Sequence, residues 1–221
     1  MHNQSVNKIE KIFLESIKIK ESIVKDQLFT SLARMGEIAG ESIINRGKIL
    51  LCGNGGSAAD AQHLAAEMLV RLRPNYNREG IPAIALAQDT STITACGNDF
   101  GFDNLFERMV QSLGNEGDVL IVITTSGNSN NIILAMRAAK AMGIKVFAFL
   151  GSGGGKAIDL SDEYFLVPSY DTGRIQESHI TAGHALMEFI EDQLLEFNYI
   201  HLQNWLTWYE YFTERYRCIY F

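Results

Sequence analysis

Two side chains that can move protons lie one helical turn apart in this chain. His63 and Glu67 are separated by four residues, so on an α-helix they share one face. An imidazole and a carboxylate can serve as acid and base in a reaction that shifts a proton between neighbouring atoms. Such a pair alone is more often a solvated surface pair, so the residues around it decide its role.

A glycine turn precedes this pair. Residues 48–52 form an apolar run that predicts a buried strand, and the residues after it are Gly53, Asn54, Gly55, Gly56 and Ser57. Glycine lets the backbone approach a ligand closely, and a helix that starts near Ser57 directs its positive end at the turn. The sequence therefore predicts an anion-binding loop beside the acid–base pair. A tight turn without a ligand is the alternative.

A second loop has the same character. Residues 118–123 predict another buried strand, which runs into Thr-Thr-Ser-Gly-Asn-Ser at 124–129 and then a helix from Asn130. Four of the six loop residues carry hydroxyl groups, namely Thr124, Thr125, Ser126 and Ser129. Ser129 or Asn128 is expected to cap the helix. Two such loops predict a phosphorylated ligand beyond the carboxyl ends of parallel strands.

Strands and helices alternate along the chain around these loops. The predicted strands are 48–52, 82–86, 118–123, 145–150 and 163–167. This alternation predicts an α/β fold, a three-layer sandwich with a five-stranded parallel sheet. Two helices within residues 5–46, the second from Gln27 with Asp26 as a possible cap, precede the sheet and are expected to pack across it or against another subunit. The long final helix starts near Arg174.

Composition excludes several classes of protein. The 221 residues are 47% hydrophobic and 20% charged, with a net charge of −7. These are globular values, and the acidic balance argues against nucleic-acid binding. Three cysteines without metal-type spacing, and no apolar segment suited to a signal peptide or a membrane span, predict a reduced cytoplasmic protein.

Two nucleotide-like motifs lack essential residues. The run Gly-Ser-Gly-Gly-Gly-Lys at 151–156 has Leu150 where a P-loop needs glycine and Ala157 where it needs serine or threonine. A flexible turn is the expected structure. Gly53, Gly55 and Ala58 fit a dinucleotide pattern, but the ribose-binding acid is missing at the end of the next strand. We therefore expect no nucleotide cofactor.

Four separated blocks carry a family resemblance. Residues 52–67, 97–101, 124–129 and 174–184 resemble, in order and spacing, the signature of the phosphoheptose isomerases of the sugar isomerase (SIS) domain family. The resemblance implies a flavodoxin-like fold and conversion of sedoheptulose 7-phosphate to D-glycero-D-manno-heptose 7-phosphate, the first step towards bacterial heptose in lipopolysaccharide or other glycans. It also implies a cytoplasmic homotetramer with active sites at subunit interfaces.

The resemblance also assigns residues. It implies that Glu67 and His184 are the acid–base pair. It implies zinc ligation by His63, Glu67, Gln176 and His184. The residues that it implies contact the sugar phosphate are Asn54, Gly55, Gly56, Ser57, Glu67, Asn98, Asp99, Thr124, Thr125, Ser126, Ser129 and Gln176.

The spacing of Gln176 and His184 makes it difficult for one helix to bring both residues to the same metal ion. On one helix they would lie about 12 Å apart along the axis, whereas zinc ligands must approach to about 2.0–2.2 Å. Either Gln176 lies on the loop before the helix, or the two residues come from different subunits. Glutamine is also a poor zinc ligand, which suits a weakly held metal.

Two regions depart from the family pattern. Some relatives have an acid three residues before Gln176, where this chain has Gly173; Asp171 lies five before it, and its role stays open. Residues 1–197 are expected to form one SIS domain. Residues 198–221 are an aromatic-rich extension, either a terminal amphipathic helix or a partner-binding segment.

Other functions are compatible with the same fold. A non-catalytic relative that binds a protein partner, of the replication-initiator-associating type, would lose catalytic positions, yet Glu67 and His184 are both present. A sugar-phosphate sensor is a further alternative. The missing ribose-binding acid disfavours an oxidoreductase. We therefore expect an aldose–ketose isomerase.

Overall fold

The computed structural model describes residues 2–86 and 89–202. Its centre is a five-stranded sheet of order β2-β1-β3-β4-β5, in which all neighbouring strands run parallel. The strands are β1 (Ile49–Gly53), β2 (Ala83–Ala85), β3 (Val119–Thr124), β4 (Lys145–Leu150) and β5 (Glu163–Leu166). All five predicted strands are confirmed, because buried parallel strands appear in a sequence as short apolar runs between turns.

Helices cover both faces of the sheet. They are α1 (His2–Lys25), α2 (Thr30–Ile44), α3 (Gly56–Leu69), α4 (Thr90–Asp99), α5 (Leu105–Leu113), α6 (Asn130–Ala141) and α7 (Thr172–Glu196). Successive strand residues point to opposite faces, so Leu51 packs with α2, α3 and α7, whereas Leu50 packs with α5 and α6. The predicted three-layer sandwich is confirmed, and α2 is the N-terminal helix that packs across the sheet.

The boundary between the first two helices differs from the prediction. Helix α2 begins at Thr30 rather than Gln27, and Asp26 does not cap it; the N-cap position is held by Phe29 without a side-chain hydrogen bond. The reason is local. Gln27 adopts a left-handed backbone conformation with φ of 53°, and the Leu28 N–H bonds the Ile23 carbonyl, which closes the end of α1 first.

The strand order creates a cleft at the carboxyl edge of the sheet. From β1 the chain moves to β2 on one side and then crosses to β3 on the other. Ligands of open α/β sheets bind at such a switch point. Because Gly53 pairs with Ile123, the two predicted anion loops start side by side at this edge.

The chain beyond α7 folds back on the domain. Ile200 is buried in the core, Leu202 pairs with Arg78 in an antiparallel bridge, and the His201 N–H donates to Glu79. The first residues of the predicted extension therefore pack against the segment after α3. The rest of that extension, 203–221, lies outside the described residues. Within 2–86 and 89–202, none of the helices combines the length and apolar character that a membrane crossing requires.

Candidate active site

The first loop joins β1 to α3 through a glycine with a positive φ. Gly55 holds the N-cap position of α3 with φ of 58°, which side chains rarely adopt. Ser57 is buried in the first turn of the helix, which begins at Gly56 as the sequence predicted. Within this turn the N–H groups of Ser57 and Ala58 already donate to the carbonyls of Asn54 and Gly55. The positive end of the α3 dipole is therefore what favours an anion at this position.

The second loop leaves hydroxyl groups available to a ligand. Ser129 occupies the N-cap position of α6, as predicted, but its side chain makes no capping hydrogen bond. Ser126 is exposed and its Oγ accepts only a weakly placed N–H from Asn128, at 3.2 Å. The Thr124 hydroxyl is buried and accepts the Gly127 N–H within the turn. The hydroxyl groups of Ser126 and Ser129 can therefore donate to a phosphate.

The glycine-rich run at 151–156 supports this second loop. A Cβ on Gly127 would collide with the Gly154 carbonyl, so the two turns touch through their backbones. The Lys156 N–H donates to the Asn128 side chain at 3.1 Å. The run is a turn between β4 and a short 3-10 helix (Gly155–Leu160), and it packs against the second loop.

A pair of amides joins the two loops. Asn54 and Asn131 donate to each other reciprocally, both bonds at 2.9 Å, and Asn131 is buried. This double bond fixes the orientation of the Asn54 side chain. Sequence reasoning missed Asn131, because only the spatial contact of the two loops reveals its partner.

The residues expected to act as acid and base come together within one chain. The Nε2 atoms of His63 and His184 lie 2.8 Å apart, and His63 Nε2 lies 3.5 Å from Glu67 Oε1. At 2.8 Å one imidazole must carry the shared hydrogen, so a proton can pass between the two rings. One chain therefore brings His63 into contact with both Glu67 and His184 without a second subunit.

Parallel packing of α3 and α7 explains the cluster. Gly183 permits close approach, because a Cβ there would lie 2.6 Å from Leu64. Gln176 lies inside α7, not on a preceding loop, and its amide lies against Gly56, where a Cβ would be 2.5 Å from Nε2. Gln176 and His184, about two turns apart on α7, therefore lie beside different turns of α3. Gln176 lies against the first loop, whereas His184 contacts His63, which in turn contacts Glu67.

Asp60 belongs to the cluster but was not predicted. Its Oδ2 is buried without a hydrogen-bond partner. Burial raises the pKa of its carboxyl group, and positive charge on His63 and His184 opposes that rise. The sequence signal was present, since Asp60 lies three residues before His63 and seven before Glu67, on the same face of α3.

The donor atoms of this cluster are of the types that bind a cation, but their separations are not those of a metal site. Two imidazoles, a carboxylate and the unpartnered Asp60 oxygen are the donor types that zinc prefers. Two ligands of a tetrahedral zinc lie about 3.4 Å apart, given bonds of about 2.1 Å. Across the described ranges, no group of three or more His, Cys, Asp or Glu side chains has metal-site spacing. The two imidazoles would have to separate to accept the ion.

Three further residues singled out in the sequence lie elsewhere. Asn98 and Asp99 are exposed at the end of α4 and bond each other at 2.7 Å; in the described chain neither hydrogen-bonds a residue of the two loops. The open question about Asp171 has a structural answer. It is the N-cap of α7, and its side chain accepts the Arg174 N–H at 3.0 Å.

Known proteins resemble the chain over most of its length. Residues 12–151 match the SIS domain family. The phosphoheptose isomerase of Aquifex aeolicus is 46% identical over 192 residues, which are 86% of this chain and 98% of the relative. Solved phosphoheptose isomerases superpose closely. That of Neisseria gonorrhoeae has a TM-score of 0.78 at 42% identity, with 84% of this chain and 98% of the other covered. That of Francisella tularensis has a TM-score of 0.81 at 38% identity, with 85% and 98% covered.

Proposed function

This chain belongs to the phosphoheptose isomerases of the SIS-domain family, and we propose that it interconverts sedoheptulose 7-phosphate and D-glycero-D-manno-heptose 7-phosphate. The observation that carries the proposal is the contact of His63 with both Glu67 and His184, on a helix that begins at an anion-binding loop. Aldose–ketose isomerisation through an enediol needs one group that moves a proton at carbon and another that moves a proton at oxygen.

The two loops bind the phosphate end of the sugar. The first turn of α3 directs the positive end of its dipole at this site. Ser126 and Ser129 offer hydroxyl groups at the adjacent strand end. A helix dipole and hydroxyl groups let an acidic protein bind a dianion locally. The Gln176 amide over Gly56 is placed to hydrogen-bond the sugar chain beyond the phosphate.

Glu67 and His184 divide the proton transfers. The Glu67 carboxylate removes a proton from C1 of the ketose while an imidazole gives a proton to the carbonyl oxygen at C2, which forms the enediol. The imidazole then takes the proton from the C1 hydroxyl, and Glu67 returns a proton to C2. The close contact of His63 with His184 lets the pair carry and replace the proton used at oxygen.

A zinc ion would be held by His63, Glu67 and His184, with Asp60 close enough to add negative charge. When bound, zinc supplies a Lewis acid that polarises the carbonyl oxygen of the sugar. Gln176, which the resemblance implied as a fourth ligand, lies instead against Gly56.

The assembly that we propose is a homotetramer with active sites at subunit interfaces. Its support is an apolar stripe on the outer face of α1, where Ile9, Phe13, Ile17 and Val24 are at least half exposed. Contiguous exposed apolar surface of this kind marks an interaction site. Asn98 and Asp99 hydrogen-bond each other rather than the two anion loops of their own chain, so they are available to complete a neighbour's site.

We also propose that the protein is located in the cytoplasm. Cys52 and Cys96 are free and buried, which suits a reducing compartment. Burial also raises the pKa of the Cys52 thiol, so this residue of the first signature block is no nucleophile.

Replacement of Ser126 and Ser129 by alanine should weaken binding of phosphorylated sugar only. A hydrogen bond to a charged group is worth about 1.5–3 kcal/mol, so the Ser126→Ala/Ser129→Ala variant should raise KM by at least about tenfold. Steady-state kinetics with sedoheptulose 7-phosphate checks this. Ser112→Ala, on the exposed surface of α5, is the matched control. Equal loss towards free sedoheptulose would contradict the role of this loop.

Mixing two inactive variants should not restore activity. Glu67→Gln and His184→Ala chains, unfolded together and reassembled, should stay as inactive as each parent, because one chain brings His63, Glu67 and His184 together. Mass photometry on every sample shows whether assembly occurred. Wild type that is unfolded and reassembled together with Glu67→Gln is the control that shows whether active protein regains its activity in this procedure. Rescue in the double mixture would show that the acid–base pair is shared between subunits.

The decisive experiment is turnover of the proposed substrate. Purified protein is incubated with sedoheptulose 7-phosphate, and NMR is used to detect the aldose phosphate. A sensor would bind the sugar phosphate without converting it, and a partner-binding relative would do neither. Either result overturns the isomerase proposal.

A further inference from the structure

A buried ion pair lies behind the acid–base cluster. The side chains of Arg78 and Glu191 are each only 1% exposed, and Arg78 Nε donates to Glu191 Oε1. Arg73 bonds the other oxygen of Glu191 from a more open position and also pairs with Asp192. Desolvation makes buried pairs poor contributors to net stability, so stability alone does not account for this one.

Arg78 also binds the end of the helix that carries Glu67. Its Nη2 donates to the backbone carbonyl of Glu67 at 3.0 Å, and its Nη1 donates to that of Met68 at 2.9 Å. Carbonyls in the last turn of a helix lack partners within the helix, and a cation is favoured there. Arg78 therefore caps the C-terminal end of α3 at the catalytic residue itself.

Glu191 connects this cap to the helix that carries His184. The two residues are seven apart on α7, which is two turns on the same face and about 10 Å along the axis. The chain of contacts runs from the Glu67 backbone through Arg78 to Glu191 and α7. It fixes how far α3 can slide or tilt relative to α7 at the end opposite the phosphate loop.

We propose that Arg78 and Glu191 are positioning residues that hold Glu67 in register with His184 for proton transfer. The proposal rests on the proposed isomerase function. Misplacement of a catalytic group by about 1 Å can cost about 100-fold in rate. The first loop lies about 16 Å from Glu67 along α3, so loss of the pair should lower kcat and leave KM nearly unchanged.

The test is a double variant that removes both charges. Arg78→Met/Glu191→Met replaces the ion pair by apolar side chains of similar length, a change that folded proteins often tolerate. We expect a folded protein of near wild-type thermal stability, with kcat lowered at least tenfold and KM for sedoheptulose 7-phosphate within about twofold.

Arg73→Met is the matched control. Arg73 bonds the same Glu191 carboxylate, but its hydrogen bonds go to Glu191 and Asp192 rather than to the carbonyls of α3. Its loss should leave kcat within about twofold of wild type. An equal fall of kcat in Arg73→Met and in the double variant would show a general effect of the charge cluster and overturn the proposal.

A conservative variant keeps the test decisive if the double variant fails to fold. Arg78→Lys retains the charge opposite Glu191 but cannot donate to Glu191 and to the Glu67 carbonyl through one planar fork. A lowered kcat with unchanged KM is expected, and wild-type kcat in either folded variant would overturn the positioning role. Failure of the isomerase assignment is distinguishable, because wild-type protein would then not turn over the sugar at all.

Discussion

Glu67→Gln should lower kcat about 10²–10⁴-fold, because it keeps the size of the side chain and removes the group that accepts the proton from carbon. Folding and assembly should be unchanged, since the Glu67 side chain is partly exposed and its carboxylate contacts the His63 imidazole at 3.5 Å. Steady-state kinetics on sedoheptulose 7-phosphate measures the effect. Glu188→Gln, on the exposed side of α7, is the control for the loss of one surface carboxylate.

Solvent exchange separates two roles for Glu67. If Glu67 is the base, deuterium from the solvent should enter the C1 position with wild type and not with Glu67→Gln, as followed by NMR. If Glu67 only orients the imidazole of His63, exchange at carbon should continue in the variant. Activity within about tenfold of wild type would rule out Glu67 as the general base.

His179 should make the fold sensitive to acid. Its ring is fully buried beside Phe149, with centroids 5.9 Å apart. Burial lowers its pKa from 6.5 to about 4, and the nearby Leu150 backbone opposes the shift only in part. In the unfolded chain this histidine binds a proton near pH 6.5, whereas the folded chain excludes it down to about pH 4. Over that interval the unfolded state binds more protons, so stability falls as pH falls.

The expected loss is about 3 kcal/mol of unfolding free energy between pH 7 and pH 4, at 1.36 kcal/mol per unit of pKa shift. Urea unfolding at several pH values measures it, and His179→Leu removes the titrating group while keeping a similar volume. As the pH falls, the free energy of unfolding should decrease more steeply for wild type than for His179→Leu. The other titrating groups are present in both proteins, so the difference reports His179. Parallel curves would contradict the prediction. Acid would loosen α7, which also carries Gln176 and His184.

Local signals in the sequence were enough to predict the fold class and the edge of the sheet at which the candidate site lies. Apolar runs such as 119–124 are local signals, because a strand buried on both faces has no polar alternation. The two anion loops and the His63–Glu67 spacing are also local, since turn residues and helical periodicity need no knowledge of distant partners. Local signals failed at Gln27, where a left-handed backbone delayed the start of α2.

Which residues of α7 face which residues of α3 depends on how the two helices pack, and no local signal predicts it. Gln176 reaches Gly56 and His184 reaches His63 because the two helices pack side by side, close together at Gly183. Nothing in the spacing of residues more than 100 positions apart fixes that register. It depends on packing shape and on long-range polar contacts such as Arg78 with Glu191, which form only when the chain is folded. For the same reason the pairing of Asn54 with Asn131 could not be predicted from either loop alone.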